Sequence, residues 1–423
     1  MRIKTVRFVK NNPLVVNALN LILSSGVIAI FGFVFWTVVA RSFRSQTVGL
    51  ATTLLAMSNL ISLLGLAGFD SVFMRFLSKS KQRNDQINTG MVFSAATSAI
   101  LAAVFCIATP LLSPKLSFVA HNGWYLLSFV VFTIFATWNI LTNAAIVAYR
   151  RTSFIVIINI IFGAVKMVLP FIIRHGGPMT IFGFAGIAQV INVALSVAAL
   201  VYYFDYVPSL RIKFALLFET WRFGITTYVA NVLNLLPDSV LAIIVVDKLG
   251  ASAAAYFYMA FTIAYFLYTI AFSGSQALLA EVSHDFDNIS HYTWKAARTT
   301  SYLLIPATIV LIIASPLVLG LFGHDYSHGA ASLLRILSLS SIAVMLYSLV
   351  GTIFKLTHNL KGLLATTATN AIAIVGLSFW FVKPWGLDGI GWAWLIGSWV
   401  SVLVGFWYVR GWFSANRHST IKV

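Results

Sequence analysis

Apolar residues dominate this chain in long unbroken runs, with polar residues confined to short intervals between them. Twelve such runs can be traced, at about 14–40, 48–73, 88–112, 124–149, 154–174, 180–203, 223–246, 253–280, 299–321, 331–353, 363–382 and 390–409. Each is near the ~20 apolar residues that an α-helix needs to cross about 30 Å of hydrocarbon. Lipid offers no partners to backbone N–H and C=O groups, so a helix that satisfies its own is the expected form of each run. The pattern predicts an all-α polytopic membrane protein with about twelve transmembrane helices. The first run is too long for the apolar core of a signal peptide, although "VVA" before Arg41 resembles a cleavage site.

Composition supports this reading. Of 423 residues, 60% are hydrophobic and 9% are charged, against ~25% charged in soluble domains. The short loops leave no segment for a soluble catalytic domain. The single cysteine, Cys106, lies in the third run and carries no disulfide information.

The net charge of +17 changes the picture less than it first suggests. With the N-terminus inside, the inward segments hold twenty Lys and Arg, beginning with Arg2, Lys4, Arg7 and Lys10 and including Arg211, Lys295, Arg298 and Lys422. The outward loops hold six: Arg41, Arg44, Lys115, Arg174, Lys248 and Lys383. Positive loops stay cytoplasmic during insertion, so topology accounts for the asymmetry and no nucleic-acid partner is implied. Both termini are expected in the cytoplasm, in a plasma (inner) membrane.

The chain also matches itself. At an offset of 206 residues, "SLLGLAGFDSVF" (62–73) lies on "YTIAFSGSQALL" (268–279) and "IATPL" (107–111) on "IASPL" (313–317); "GFAGIA" (183–188) meets "GLDGIG" (386–391) at 203. These landmarks predict a duplicated six-helix unit, with lobes at 1–206 and 207–423 joined through the polar stretch 205–220. Two even-numbered copies insert the same way up, as pseudo-symmetric lobes around a central cavity that could rock to face alternate sides.

Within the runs, a few polar groups stand out. An ionised side chain near a helix centre costs ~2.5–3.5 kcal/mol on insertion scales, so such groups face protein or a wet path. Lys166 lies about 18 Å into the fifth run, and Asp238 at a similar depth in the seventh, after the helix-bending Pro237. They could pair across the cavity. Alternatively Lys166 meets an anionic head group while Asp238 binds a coupling proton or sodium ion; the plainer reading is a structural ion pair. Asp70 near the cytoplasmic end of helix two, with Arg75 at the cytoplasmic mouth, fits an ion pair or helix-end anchor and is a second coupling-ion candidate. Arg41, Arg44 and Arg335 form a set of outer-side cations that could receive an anion. Of the asparagines within helices (Asn20, Asn139, Asn143, Asn159, Asn192, Asn231, Asn234 and Asn370), packing is the default role, with Asn231 and Asn234 beside Asp238 also candidates for sugar binding.

No catalytic site emerges, and no cofactor is expected. A Walker A sequence is absent. "GHDYSHG" and "HDFDNISH" look like weak metal clusters, but both are expected in hydrophilic loops without the two-His helical spacing of a zinc site, and every histidine is expected in a loop or tail. No metal is therefore assigned.

"LNLILSSGVIAIFGFVFWTVVARSFRSQTVGLATTLLAMSNLISLLGLAGFDSVFMRFL" carries a basic residue after helix one, Gly49 opening helix two, and Gly65–Leu66 followed by Arg75. In these features the chain resembles polysaccharide-type flippases of the multidrug/oligosaccharidyl-lipid/polysaccharide superfamily. "PDSVLAIIVVDKLGASAAAYFYMA" is similar to the family's seventh and eighth helices, with Asp238 in place but Ala255 where the family has Gly before Tyr256. The resemblance implies a transporter, not an enzyme. Its substrate would be a polyprenyl-diphosphate-linked oligosaccharide, moved from the inner to the outer leaflet by alternating access for O-antigen, lipopolysaccharide or other cell-surface polysaccharide biosynthesis. Glycan assembly proteins would be its partners, and Lys166, Arg41, Arg44 and Arg335 candidates to meet the diphosphate. A cation/drug antiporter of the same superfamily is the alternative, with Asp238 and Asp70 as working groups. A membrane glycan polymerase or ligase fits less well, because the longest outward loop, 113–123, is short. A major-facilitator porter would want a Gly/Asp/Arg-rich loop that "RFLSKSKQRNDQINTG" does not supply.

Overall fold

The computed structural model describes residues 13–210, 212–282 and 288–417. Arg2, Lys4, Arg7, Lys10, Arg211, Lys422 and residues 284–287 of the "HDFDNISH" segment lie outside them.

Among the described residues the chain is helical, without strands. The helices are α1 (Pro13–Ser42), α2 (Ser45–Gly65), α3 (Phe69–Phe76), α4 (Arg83–Leu112), α5 (Gly123–Ala148), α6 (Ser153–Ile172), α7 (Pro178–Phe204), α8 (Phe214–Lys248), α9 (Ala251–Val282), α10 (Ile289–Gly320), α11 (His324–Leu356) and α12 (Leu360–Arg417). Eleven are long and apolar enough to cross a membrane. The last contains two of the predicted runs, parted at Gly386, whose φ of 55° and ψ of −131° break the helix. The protein is therefore a multi-pass membrane protein with about twelve crossings. Exposed apolar side chains such as Ile313, Leu317 and Leu403 lie on these spans, where lipid is the natural solvent.

Local chemistry sets the ends. Asn122 caps α5, its Oδ1 accepting from the N–H groups of Trp124 (2.9 Å) and Tyr125 (3.4 Å). The predicted run 48–73 is not one helix: Ala67 (φ 48°) and Gly68 (φ 88°) turn left-handed, so the span stops at Gly65 and α3 follows as a short separate helix. The expected loop "GHDYSHG" is likewise corrected, since His324 opens α11 and His328 lies one turn into it. His291 is helical too, in α10.

The chain divides into two compact units, Met1–Tyr228 and Val229–Val423. The lobe boundary at 206/207 remains a proposal drawn from the repeat. Helix ends fall on the repeat's register, however. Ser42 and Lys248 end α1 and α8, Ser45 and Ala251 begin α2 and α9, and Arg83 and Ile289 begin α4 and α10, each pair 206 residues apart.

In the first unit α1 packs along α6, and α5 lies against α4 and α7. At the α1–α6 contact, a Cβ on Gly163 would fall 2.5 Å from the Phe31 ring, so glycine is what permits the close approach. The linker after α7 is strapped onto the start of α4. Asn88 Nδ2 donates to Val207 O (3.0 Å), while its Oδ1 accepts from the Tyr206 hydroxyl (2.6 Å) and Ser209 N (3.0 Å). Lys213 N donates to Thr89 Oγ1 (3.1 Å), and its ammonium pairs with Asp85 at 2.6 Å. Burial pushes the Tyr206 phenol up to about 12. In the second unit α11 is central, packed by α9, α10 and α12.

Candidate functional site

The first unit places Lys166 on α6, half-buried, in a box of aromatic rings. Its Nζ lies 4.4 Å from the centroid of Phe35, 5.7 Å from that of Trp36 and 6.0 Å from that of Phe162. Phe35 and Trp36 are adjacent on α1, edge-to-face at 4.9 Å and buried. Ring faces carry partial negative charge and offset part of the cost of holding an ammonium in a dry bundle. Among the described residues of this unit no carboxylate pairs with Lys166. The depth of Lys166 was legible in its run but its box was not, since neighbouring Phe and Trp in an apolar run carry no distinguishing signal.

Seven residues earlier on the same helix, Asn159 belongs to a directed chain of amides. Asn143 donates to Asn139 (2.9 Å), Asn139 to Asn192 (2.6 Å), Asn192 to Asn159 (3.2 Å), and Asn159 to Ser24 Oγ (2.7 Å). Four helices, α5, α7, α6 and α1, are joined by it, and aligned donors polarise one another. The expectation that these asparagines pack across helix contacts matches the geometry. The chain ends in the buried Asn143 Oδ1, which has no hydrogen-bond partner among the described residues.

The second unit gathers Asn231, Asn234 and Asp238 on one face of α8, spaced three and four apart. Asn231 and Asn234 are exposed and Asp238 is half-buried. Tyr347 of α11 donates to Asn234 Oδ1 at 2.7 Å. The Asp238 carboxylate is within electrostatic reach of the Tyr265 and Tyr268 phenols on α9. Tyr268 is fixed by Leu337 O (3.0 Å) and Ser340 Oγ (2.7 Å) and is stacked parallel to Trp394. The buried indole N–H of Trp394 has no acceptor among the described residues. Tyr265, Tyr268, Tyr347 and Trp394 were missed at the sequence level. A tyrosine inside a span needs a partner for its hydroxyl, and the pair Tyr265/Tyr268 was legible on that ground.

Other predicted residues are scattered. Lys166 belongs to the first unit and Asp238 to the second, and their pairing stays an expectation. Asp70 sits in the first turn of α3, hydrogen-bonded to Ser71, where a carboxylate suits the positive end of a helix. Arg75 is exposed and lies 5.4 Å from the Phe76 ring centroid; no ion pair joins it to Asp70 among the described residues, which favours the helix-end role of Asp70 over the pair. Arg41 in the last turn of α1 and Arg44 just before α2 are exposed. Arg335 of α11 donates from Nε to Ser315 Oγ (3.1 Å) and Ile312 O (3.4 Å), tying α11 to α10. The histidine pair corrects the expectation that its spacing was wrong: His324 and His328 do stand one helical turn apart, with their Nε2 atoms 3.2 Å from each other. No group of three or more His, Cys, Asp or Glu side chains converges among the described residues.

A family model described as "Polysaccharide biosynthesis protein" matches residues 38–331. No curated protein matches the chain by sequence. Among solved structures, an inward-facing multidrug resistance MATE family transporter of the MOP superfamily aligns at 16% identity with a TM-score of 0.70, covering 94% of this chain and 99% of that one. The lipid II flippase MurJ in an inward closed conformation aligns at 14% identity with a TM-score of 0.73, covering 94% and 87%. An outward-facing MATE transporter aligns at 14% identity with a TM-score of 0.63 and 98% coverage of both chains. At these identities the likeness is one of fold.

Proposed function

The chain belongs to the polysaccharide biosynthesis protein family, and from that premise we propose that it flips a polyprenyl-diphosphate-linked oligosaccharide from the inner to the outer leaflet by alternating access, without a catalytic step. The observation that carries this reading is the ammonium of Lys166, held within the span by three rings with no ion-paired carboxylate among the described residues of its own unit. Aromatic faces stabilise its charge while leaving N–H donors for an anion, and a diphosphate crossing hydrocarbon is such an anion. Arg41, Arg44 and Arg335 would receive the diphosphate at the outer side, and Asn231 and Asn234 would contact sugar hydroxyls. Asp238 would take the coupling proton or sodium ion; the loop charge pattern supports cytoplasmic termini, and the flippase reading an inner-membrane location.

A second reading, a cation/drug antiporter, draws on the Asp238 carboxylate among the phenols of Tyr265 and Tyr268, a setting that suits an organic cation. Reconstitution distinguishes the two. The full chain in vesicles is offered a lipid-diphosphate oligosaccharide or an organic cation, alongside Lys166→Ala and Asp238→Asn. Movement of the lipid-linked sugar, lost in Lys166→Ala, is the expected result; movement of organic cations alone would establish the antiporter. Normal transport by both folded variants would remove these residues from the site.

A further inference from the structure

The repeat pairs two helix faces whose coverings differ. In the first unit, Asp85, Asn88 and Thr89 on α4 are covered by the linker strap. Their counterparts 206 residues on are His291, Trp294 and Lys295 on α10. These three, with Arg298 and Tyr302, form a basic and aromatic stripe along one face, with His291, the adjacent Trp294 and Lys295, Arg298 and Tyr302 on successive turns. Trp294 is 71% and Tyr302 69% exposed.

The stripe adjoins a groove between α9 and α10 of about 370 Å³, walled by Ile270, Leu278 and Leu303 and floored by Gly274 and Ala277. Lys295 and Thr299 line both this groove and an open depression of about 330 Å³ around Trp294, Arg298 and Tyr302. The groove recurs in the first unit, where Leu64, Ala67, Phe93 and Thr97 line a cavity of about 310 Å³ at positions 206 before Ile270, Ser273, Thr299 and Leu303. There Tyr228 also lines it, its hydroxyl donating to Leu64 O at 2.7 Å.

We propose that the α9–α10 groove is a binding site for an anionic phospholipid of the leaflet at the N-terminal end of α10. The phosphate would sit by Arg298 and Lys295, with an acyl chain along the apolar groove. Arg298 already bonds the Tyr302 hydroxyl through Nε at 3.1 Å, which fixes the guanidinium beside the opening. Lys295 is shared with Glu281 at 3.2 Å, so the surplus positive charge suits one phosphate rather than a diphosphate. Trp and Tyr at this level are the residues that settle among lipid head groups. The stretch after α12 contains His418 and Lys422; its charge has the same sign as the stripe, so it does not complement it. The site is independent of what the protein transports.

The test uses the full chain in phosphatidylcholine vesicles, reading tryptophan quenching by brominated phosphatidylglycerol and by brominated phosphatidylcholine. The difference between the parent and Trp294→Phe isolates Trp294. Each basic side chain near an anionic head group adds a preference of about fivefold. Phosphatidylglycerol is therefore expected to win by at least that factor, and Arg298→Gln to lose about fivefold; Lys295→Gln, also exposed, gives a second reading should the first variant not fold. Equal quenching by the two lipids, or a preference unchanged in Arg298→Gln, overturns the site. Abolition of the preference by inorganic phosphate, or by stoichiometric undecaprenyl diphosphate, assigns it to another ligand and overturns it as well. So does a several-fold rise in quenching on deleting residues 418–423, which would make the tail the occupant.

Discussion

Replacing Lys166 with Met separates a structural lysine from a working one, because Met keeps most of the unbranched apolar stem and removes the ammonium with its charge and N–H donors. Holding a cation mid-span costs ~2.5–3.5 kcal/mol. Against this, a desolvated ring contact at the 4.4 Å of Phe35 returns ~2 kcal/mol and the two longer contacts ~0.5 kcal/mol each. The terms nearly cancel, so Lys166→Met should change unfolding stability by no more than about 1 kcal/mol. Transport should respond very differently. Loss of one charge-assisted contact to a diphosphate, ~1.5–3 kcal/mol, weakens carrier affinity by about 10- to 150-fold. Carrier competition in detergent and flipping in proteoliposomes read the second quantity, and reversible unfolding reads the first. A cycle with Phe35→Leu adds a check: Phe35→Leu alone strands the ammonium, and the double variant should recover about 2 kcal/mol of the loss. If Lys166→Met unfolds several kcal/mol more easily yet flips carrier at the parent rate, Lys166 is a packing device and the reasoning fails.

Four further outcomes are expected. Asp238→Asn should abolish the dependence of transport on a proton or sodium gradient while leaving carrier binding within a few-fold, measured by imposing each gradient on proteoliposomes. Gly163→Val should destabilise the first unit by ~1–3 kcal/mol, because its Cβ would fall 2.5 Å from the Phe31 ring; equal thermal stability of variant and parent would contradict the close α1–α6 approach. Asn192→Leu interrupts the amide chain in the middle and should cost ~0.6–1.7 kcal/mol in the unfolding transition. The Tyr206 phenol, raised to about 12 in the fold from ~10 when unfolded, contributes stability that is full below pH ~10 and lost as pH rises through about 12. Thermal scans across that interval should show Tyr206→Phe losing less than the parent.

The hydrophobic pattern was enough to place the crossings, because lipid forces each apolar run to satisfy its own backbone and leaves no competing fold. Where it erred, the cause was local and conformational. The run 48–73 breaks at Ala67–Gly68, and "GHDYSHG" starts a helix instead of a loop, both decided by a few backbone angles that hydropathy does not register. The internal offset was also legible, since helix ends recur on it.

The chain alone thus determined that the protein spans a membrane about twelve times, which positions lie deep within it, and that Lys166 and Asp238 are costly there. Solvation energy acts residue by residue, so it can be summed along a sequence. What surrounds each costly group was settled only by tertiary structure: three rings from two helices around Lys166, phenols of a second helix near Asp238, and four helices threaded by one line of amides. Most of those neighbours lie on different helices, and their meeting depends on how helices rotate and approach, a property that steric fit at positions such as Gly163 selects and that no single run of residues encodes.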